Sequence, residues 1–365
     1  MRLTLNTPRG LVAVGLAAVL FGATACANTD QPGGGGDQSK DKGFKIGLLL
    51  PESKTTRYES FDRPLIEKKL KQLCAKCEVL YQNADQDPNK QQSQAESMLT
   101  QGAKVLILDA VDAKAAGGIV SQAKEQGVPV VAYDRLASGP VDNYVSYDNR
   151  TVGEVQGKAL LDAVGDAKAG KVVMINGAPT DPNAADFKAG AHSVLDDKVK
   201  IGKEYDTPDW SPDKAQQEME QAITALGKDK IIGVYAANDG TAGGAIAAMK
   251  SAGFTKLPPV TGQDAELAAI QRILAGQQHM TVYKAIKPEA DIAAKMAIAL
   301  ATGKKYDGKT TTKDNGDAKV PSVLLDPVSV TKENVKDTVI ADKFYSVNQI
   351  CAGEYAKACE AAGIS

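Results

Sequence analysis

The stretch "GVPVVAYDRLASG" (residues 127–139) places a charged pair at the end of an apolar segment. Its segment "VPVVAY" is rich in β-branched residues and predicts a strand that is buried on both faces, as in a parallel sheet. Asp134 and Arg135 follow at once. Because ligands of open parallel sheets bind outside the carboxyl ends of the strands, we expect this pair in a binding site.

Strand and helix patterns alternate on both sides of this stretch, in two series. The first series runs from "FKIGLLL" (44–50) to "DNYVSYDN" (142–149). The second begins with "GKVVMINGAPT" (170–180) and closes with "HMTVYK" (279–284). Apolar strands joined by helices predict a parallel sheet, so two series predict two sheets.

Acidic residues end the strands at matching positions in the two series. Asp109 ends "VLILDA" and Asp239 ends "VYAAND". Asp134 follows Asp109 at the same distance along the chain as Asp264 follows Asp239. This shared spacing predicts two similar α/β domains, each of which contributes strand ends to a cleft between them.

The composition is that of a soluble globular protein. The chain has 365 residues, of which 43% are hydrophobic and 24% charged, with a formal net charge of −2. This length is sufficient for two domains. The near-neutral charge gives no indication of a nucleic-acid partner.

The N-terminus has the pattern of a secretory signal. Arg2 and Arg9 precede the apolar run from Leu11 to Phe21, and "GATAC" follows. Residues 1–25 are therefore expected to be a signal peptide. The ending at Cys26 resembles the lipobox of bacterial lipoproteins, which implies cleavage before Cys26 and lipidation of that residue; the alternative is an ordinary signal peptide that is cut near Ala25.

Residues 26–43 are predicted to form a flexible tether. Four consecutive glycines, Gly33 to Gly36, stand in a segment with almost no apolar residue, and such a composition favours a flexible linker. A tether behind a lipidated Cys26 predicts an exported protein that is anchored to the outer face of the cell membrane.

Export also permits disulfide bonds, and four further cysteines are present. We predict two local pairs, Cys74–Cys77 and Cys351–Cys359. A redox CxxC motif normally opens a helix after a strand, whereas Cys74 and Cys77 close the predicted helix "LIEKKLKQLCAKC". A zinc site of four cysteines is the other alternative, but the two spacings fit it only in part.

Polar and aromatic candidates for a ligand site lie at strand ends and in the loops after strands. At strand ends they are Asp109, Asp134, Arg135, Asn238, Asp239, Asp264 and Lys284, and in loops Arg57, Tyr58, Asn183 and Trp210. Carboxylates accept hydrogen bonds from hydroxyl groups, basic and amide groups donate to oxygens, and aromatic rings stack on the C–H face of a sugar ring. The set therefore predicts a sugar site. Trp210, the single Trp, is expected in a loop and not in a domain core.

Structural roles are the alternative for several of these residues. Asp109, Asp239 and Asp264 could each cap the next helix. Asp134 and Arg135 could form a structural ion pair, Lys284 could be a solvated strand end, and Tyr58 could belong to the start of a helix.

Catalytic and cofactor motifs are weak in this sequence. It contains two histidines without metal-ligand spacing, no GxSxG motif and no glycine-rich phosphate loop. We therefore predict no metal and no cofactor. A set of donors and acceptors on two domains indicates a ligand that is enclosed by closure rather than hydrolysed.

Several segments resemble the xylose-binding branch of the ribose/galactose-type periplasmic sugar-binding family of bacterial ABC importers. They are "VVAYDR", "YVSYDNRTVGEVQGKALLD", "YAANDGTAGGAIAAMKSAG", "VTGQDAELAAIQRILAGQQHMTVYK" and "VPSVLLDPVSVTKENVKDTVI". The resemblance covers roughly residues 44 to 345 and implies a type I periplasmic binding protein, an α/β fold with two Rossmann-like, doubly wound parallel-sheet domains that are joined by three hinge crossings. In that family the loaded protein is not an enzyme but docks on a membrane permease.

The resemblance also implies domain boundaries. The crossings are expected near Asn149, Lys284 and Pro321. The N-terminal domain would comprise residues 44–148 and 285–320, and the C-terminal domain 149–284 and 321–340. The tail, 341–365, has no assigned function, although Cys351–Cys359 could pin it to the body.

The resemblance assigns sugar-binding roles residue by residue. The implied ligand residues are Arg57, Tyr58, Asp134, Arg135, Asn183, Trp210, Asn238, Asp264 and Lys284. Two departures leave the exact sugar open: Arg57-Tyr58 stands where xylose binders have Arg-Trp, and Pro182 interrupts the segment around Asn183. The expected function is capture of a monosaccharide, D-xylose first, by a monomer that delivers it to an ABC permease. The alternatives are a sugar receptor for a signalling partner and an exported glycoside hydrolase.

Overall fold

The computed structural model describes residues 42–165 and 169–364. The predicted signal peptide, Cys26 and the tether up to residue 41 lie outside the described residues. Among those described, no helix combines the length and apolar character needed to span a bilayer.

The chain forms alternating strands and helices. The strands are β1 (Lys45–Leu50), β2 (Glu78–Asn83), β3 (Ala103–Leu108), β4 (Val130–Tyr133), β5 (Asn143–Tyr147), β6 (Lys171–Asn176), β7 (Ile201–Asp206), β8 (Ile231–Ala236), β9 (Thr281–Tyr283), β10 (Thr311–Asp314), β11 (Lys319–Leu325) and β12 (Val328–Val330). The α-helices are α1 (Arg63–Leu73), α2 (Pro88–Thr100), α3 (Ala116–Glu125), α4 (Asn149–Val164), α5 (Pro182–Leu195), α6 (Pro212–Leu226), α7 (Asp239–Ser251), α8 (Leu267–Leu274), α9 (Ile286–Ala301), α10 (Val347–Ile350) and α11 (Ala356–Ala361).

The first lobe is built on a seven-stranded sheet in the order β10-β11-β5-β4-β3-β1-β2. All neighbours are parallel except β10, which is antiparallel to β11. Helices α2 and α3 cover one face, and α1 and α9 cover the other. The central strands are buried on both faces, which is why they have apolar runs rather than alternation.

The second lobe is built on the parallel sheet β7-β6-β8. The segment "PPVTGQD" (258–264) joins this sheet only through the single bridge of Val260 to Val234, and a second bridge joins Gln263 to Val282 of β9. A regular ladder does not form there because the hydroxyl of Thr261, and not a backbone carbonyl, accepts the N–H of Ala236 at 3.0 Å. The short strands β9 and β12 pair antiparallel beside it.

The chain passes between the lobes after β5, after β9 and between β11 and β12. The third passage is later than the expectation near Pro321. Ser322 to Leu325 still pair with β5 in the first sheet, so the chain leaves that lobe only after Leu325. Pro321 fits in β11 because the pairing with β5 begins one residue beyond it, where its missing N–H is not needed.

The tail packs on the second lobe. Ile350, Cys359 and Ile364 are buried in a cluster with residues of α8 and β12. The structure joins Cys351 to Cys359 and Cys74 to Cys77 as disulfides. The described residues contain no cluster of three metal-ligating side chains, which leaves the zinc alternative without a site in this part of the chain.

Two glycines allow α4 and α5 to pack in close contact. A Cβ atom at Gly153 would lie 2.0 Å from the carbonyl oxygen of Phe187, and one at Gly190 would lie 2.1 Å from that of Arg150. Neither backbone can retreat without moving a helix, so any side chain here separates the pair.

We therefore expect Gly153→Ala to lower the free energy of unfolding by about 1–3 kcal/mol, measured by urea denaturation. The control is Gly118→Ala in α3, where the new methyl group meets only the side-chain oxygen of Gln92 at 3.3 Å. This control should leave stability unchanged or raise it by about 0.5–1 kcal/mol, the usual helical preference for Ala over Gly. Equal stability of the two variants would contradict the packing argument.

Candidate functional site

A small cavity lies where the two lobes meet. Its lining residues are Thr55, Arg57, Tyr58, Asp134, Arg135, Asp181, Asn183, Phe187, Trp210, Asn238, Gln263, Asp264 and Lys284. All nine residues that the sequence singled out as ligand-binding are thus brought together, and four more join them.

The guanidinium of Arg57 is hydrogen-bonded through two of its nitrogens, and the third nitrogen has no hydrogen bond to a described residue. Its Nε and Nη2 donate to the carboxylate of Asp62 at 3.0 and 2.7 Å, and Nη2 also donates to Glu289 at 3.1 Å. Nη1 lies 3.3 Å from Asp134 but makes no hydrogen bond to any described residue. The fork with Asp62 therefore orients the guanidinium and leaves one buried donor for the cavity.

A π-helical turn, Tyr58–Asp62, accounts for this orientation. It leads into α1, where Pro64 occupies the first turn, a position in which its missing N–H costs no hydrogen bond. The turn carries Tyr58 and Asp62 on buried positions directly after Arg57. Single π-helical turns are frequent at functional sites because they redirect side chains within a helix.

Arg135 joins the lobes. Its Nε lies 2.8 Å from Asp181 of the second lobe and 3.6 Å from Asp109 of its own lobe. Its Nη2 donates to the hydroxyl of Tyr58 at 3.1 Å. Burial by itself would lower the pKa of Arg135. The interactions with Asp181 and the other neighbours outweigh burial and raise this pKa well above its usual value.

Asp134 is the acidic centre of the cavity. The hydroxyl of Tyr58 donates to it at 3.2 Å and the amide of Asn183 at 3.3 Å, and Lys284 Nζ lies 3.9 Å away. Burial favours the neutral form, but Arg57, Lys284 and Arg135 outweigh it and lower the pKa of Asp134 to about 2. The carboxylate is therefore ionised at neutral pH.

Asp134 and Asp264 occupy equivalent places in the two lobes. Both have left-handed backbone conformations, with φ of 55° and 90°, which are uncommon outside glycine and cluster at functional sites. Their N–H groups donate to Val145 and Val282, each at 2.9 Å. The two domains thus present one carboxylate each to the cavity by the same backbone arrangement.

Asp264 and Lys284 form the second lobe's charged pair. Their side-chain atoms Oδ1 and Nζ lie 3.3 Å apart, and Arg57 Nη1 lies 4.0 Å from the same oxygen. That oxygen and Oε1 of Gln263 are buried without a hydrogen bond to any described residue. The cavity therefore contains unsatisfied acceptors beside the unsatisfied donor of Arg57.

Trp210 is buried, and the expectation that it lies outside a domain core is wrong. It is 4% exposed and belongs to the apolar cluster of the second lobe. Its ring meets Phe187 edge-on, with centroids 6.4 Å apart, and its Nε1 donates to Asp181 at 3.0 Å. Gly177 makes room for it, since a Cβ there would lie 2.0 Å from the indole.

Asn183 and Asn238 each have a second role. Asn149 Nδ2 donates to the side-chain oxygen of Asn183 at 2.8 Å, which turns the amide nitrogen of Asn183 toward Asp134. Asn238 caps α7, because its side chain accepts the N–H of Thr241 at 2.9 Å. Both amides lie in the wall of the cavity.

Asp109 and Asp239 lie behind the cavity rather than in its wall. Asp109 supports Arg135. Asp239 accepts hydrogen bonds from Gln278 at 2.7 Å, from Thr281 at 2.8 Å and from the N–H of Glu266 at 2.9 Å. Burial raises the pKa of Asp239 to about 7 despite Arg272 and these hydrogen bonds. Neither residue caps the following helix: Asn238 caps α7, and Ala115 precedes α3 without a side-chain cap. Both act behind the cavity wall instead.

Four lining residues were missed by the sequence reasoning. Asp181 precedes Pro182 and caps α5, since it accepts the N–H of Asn183 at 2.9 Å. The pattern "DPN" is typical of a helix start but does not indicate the wall of a cavity. Phe187 lies one turn further along α5. Thr55 and Gln263 directly neighbour the candidate segments and had no signal of their own.

The formal charges of the cavity wall cancel. Arg57, Arg135 and Lys284 face Asp134, Asp181 and Asp264 in its lining. A charged ligand would meet like charge on one side, so this balance favours a neutral ligand with both donors and acceptors. Tyr58, Phe187 and Trp210 add apolar faces, and this combination suits a polyhydroxylated ring.

Two α/β lobes that enclose such a cavity define a two-lobed solute-binding protein. Residues 46–305 match the family model of the periplasmic binding protein domain, and the chain belongs to this family. This membership confirms the predicted fold class. The family consists of binding proteins, which also confirms the prediction of a binding function rather than an enzymatic one.

Curated relatives cover most of the chain. The D-xylose-binding periplasmic protein of Escherichia coli (strain K12) is 40% identical over 315 residues, 85% of this chain and 93% of the relative. Its namesake from Haemophilus influenzae is 38% identical, over 85% of this chain and 92% of the relative. The multiple sugar-binding periplasmic receptor ChvE of Rhizobium radiobacter is 34% identical, over 85% of this chain and 93% of its own.

Solved structures agree with this placement. An ABC transporter solute-binding protein from Clostridium phytofermentans with bound β-D-glucose has a TM-score of 0.76 at 30% identity, over 84% of this chain and 99% of its own. A carbohydrate transporter solute-binding protein from Chloroflexus aurantiacus in complex with D-glucose has a TM-score of 0.77 at 29% identity, over 83% and 97%.

Glu289 gives the charge network a measurable pH dependence. It is fully buried in α9, so burial raises its pKa to about 8; Arg57 opposes this, whereas Asp134 and Asp62 add to it. The folded chain therefore binds this proton more tightly than the unfolded chain, in which the pKa is about 4.3. This contribution to stability is complete below that value and is lost as the pH rises through 8.

Between pH 6 and 8 we expect wild type to lose about 2 kcal/mol more unfolding free energy than Glu289→Gln, which mimics the protonated group. Urea denaturation at the two pH values measures this difference. Asp291→Asn, a partly exposed position of the same helix paired with Lys287, serves as the control and should follow wild type. A pH profile of Glu289→Gln parallel to that of wild type would contradict the argument.

Proposed function

We propose that this protein captures one neutral monosaccharide, D-xylose first, between its lobes and delivers it to an ABC permease. The observation that carries the proposal is the unsatisfied donor Arg57 Nη1, 4.0 Å from the unsatisfied acceptor Asp264 Oδ1, in a cavity wall of balanced formal charge. A sugar hydroxyl both donates and accepts, so one hydroxyl or an adjacent pair would satisfy the two atoms together.

The roles of the other residues follow from their geometry. Asp134 accepts from ligand hydroxyls, and its positive neighbours keep it ionised for that purpose. Asn183, Asn238 and Lys284 supply donors. Tyr58, Phe187 and Trp210 supply the apolar faces against which the C–H side of a sugar ring packs.

D-xylose is preferred among sugars because of the named relatives. The first two relatives are named as D-xylose-binding proteins and are 40% and 38% identical over most of the chain. The bound D-glucose of the two solved structures makes hexoses the main competitors, and Tyr58 in place of the Trp of xylose binders is the departure with the greatest bearing on this choice.

A titration followed by intrinsic fluorescence tests the proposal, because Trp210 is the sole Trp and lines the cavity. We expect a saturable change with D-xylose and a weaker response to D-glucose and D-ribose. Asp134→Ala should weaken binding by at least about a hundredfold, since it removes a charged acceptor and leaves buried cations unpaired.

The matched control is Asp162→Ala, an exposed carboxylate on α4, which should bind as wild type does. Wild-type affinity in Asp134→Ala would remove this residue from the ligand site. No fluorescence or calorimetric response of wild type to any pentose or hexose would contradict a monosaccharide ligand.

We also infer that the mature chain is a monomer held at the outer face of the membrane by a lipid on Cys26. A single chain supplies the whole cavity wall, which supports a monomer. The lipobox-like "ATAC" before the glycine-rich tether supports the anchor, and the family's periplasmic relatives work outside the cytoplasm, at the place where an ABC permease accepts its solute.

The anchor is tested by Cys26→Ala in the full chain, expressed in a bacterium. Wild type should incorporate labelled palmitate and enter the detergent phase on phase separation, whereas the variant should do neither. Wild type that stays in the aqueous phase without label would favour an ordinary signal peptide cut near Ala25.

A further inference from the structure

The tail that follows the second lobe makes an aromatic contact with the first. Phe344 stacks on Phe61, with ring centroids 4.2 Å apart and planes inclined by 19°. Tyr345 meets the same Phe61 edge-on at 5.5 Å. Phe61 belongs to the first lobe, between Tyr58 and α1, whereas Phe344 and Tyr345 belong to the segment 341–364 that packs on α8.

Several contacts fix this segment to the second lobe. Phe344 packs on Tyr283 of β9 at 5.2 Å. Gln271 donates to the carbonyl of Ile350 at 3.2 Å, and Tyr345 is buried in the apolar cluster that contains Ile270 and Leu274 of α8. The Cys351–Cys359 disulfide closes the segment beyond these contacts. The two aromatic rings are thus held by the second lobe and cannot follow the first lobe when the lobes part.

In the first lobe, Phe61 is part of the π-helical turn that contributes Tyr58 to the ligand site. Tyr58, Phe61 and Asp62 share one π-helical turn. Tyr58 lines the cavity and donates to Asp134, and Asp62 holds Arg57 in its fork. A contact on Phe61 therefore acts on the segment that positions Arg57 and Tyr58.

We propose that Phe344 and Tyr345 form a closure latch: they pack against Phe61 when the lobes are closed and thereby increase the affinity for the ligand. The proposal rests on the proposed function, because a latch affects affinity only if closure encloses a ligand. A contact between lobes that exists only in the closed state stabilises that state relative to the open state by the whole free energy of the contact.

The latch makes a kinetic prediction that a merely structural aromatic cluster would not. Because the contact forms after the ligand has entered, its loss should speed dissociation and leave association nearly unchanged. An aromatic pair is worth enough to predict about a tenfold faster dissociation of D-xylose from Phe344→Ala, followed by stopped-flow fluorescence of Trp210. Phe61→Ala removes this contact and that of Tyr345 from the opposite lobe, and it should speed dissociation at least as much.

A double variant and a matched control separate the latch from general destabilisation. Phe61→Ala combined with Phe344→Ala should dissociate no faster than Phe61→Ala alone, since Phe61→Ala already removes the contacts of both Phe344 and Tyr345. The control, Phe254→Ala, removes an equally large, partly buried ring that packs within the second lobe alone. It should lower the unfolding temperature and leave both rate constants as in wild type.

Two outcomes overturn the latch: folded Phe344→Ala and Phe61→Ala that release D-xylose at the wild-type rate, or a control that accelerates release as much as they do. Failure of the proposed function is recognised separately, by a wild type that binds none of the sugars. In that event, small-angle scattering of the ligand-free proteins tests the latch. The latch predicts a larger radius of gyration for Phe344→Ala than for Phe254→Ala, and equal radii overturn it.

Discussion

Three cationic side chains are buried where the lobes meet, and the rest of the site is arranged around that constraint. Arg57, Arg135 and Lys284 are each at most 3% exposed. A buried charge is tolerated only when it is paired and hydrogen-bonded. Each cation accordingly contacts carboxylates, and some of these come from the opposite lobe, as Asp181 does for Arg135. The same contacts that keep the charges paired also hold the lobes together.

This network leaves a few atoms unsatisfied, and the proposed ligand is matched to them. Arg57 uses Nε and Nη2 on acids behind the cavity, so that only its Nη1 is left without a hydrogen bond among the described residues. Asp264 Oδ1 is the matching acceptor. Leaving buried polar atoms unpaired is costly, and under the proposed function a neutral hydroxylated solute would recover that cost.

The two lobes present an aspartate to the cavity by the same backbone arrangement. Asp134 and Asp264 follow strand ends, adopt left-handed conformations and donate their N–H groups to the neighbouring segment at the same distance. The equal spacing of strand-end acids predicted this correspondence. The spacing did not predict which acids reach the cavity. Asp109 shares it but lies behind the wall, 3.6 Å from Arg135, and Asp239 accepts hydrogen bonds from Gln278 and Thr281.

The sequence by itself determined the alternation of strands and helices and the strand-end position of the charged residues, because apolar periodicity and chain order are local properties. Together with the family resemblance, it singled out nine candidate ligand residues, all of which line the cavity. Only the tertiary structure decided that Asp181 and Phe187 join them, that Trp210 is buried, that the chain leaves the first lobe after Leu325, and that the tail reaches Phe61. These features depend on which surfaces of the two lobes meet. Residue spacing along the chain does not determine which surfaces those are.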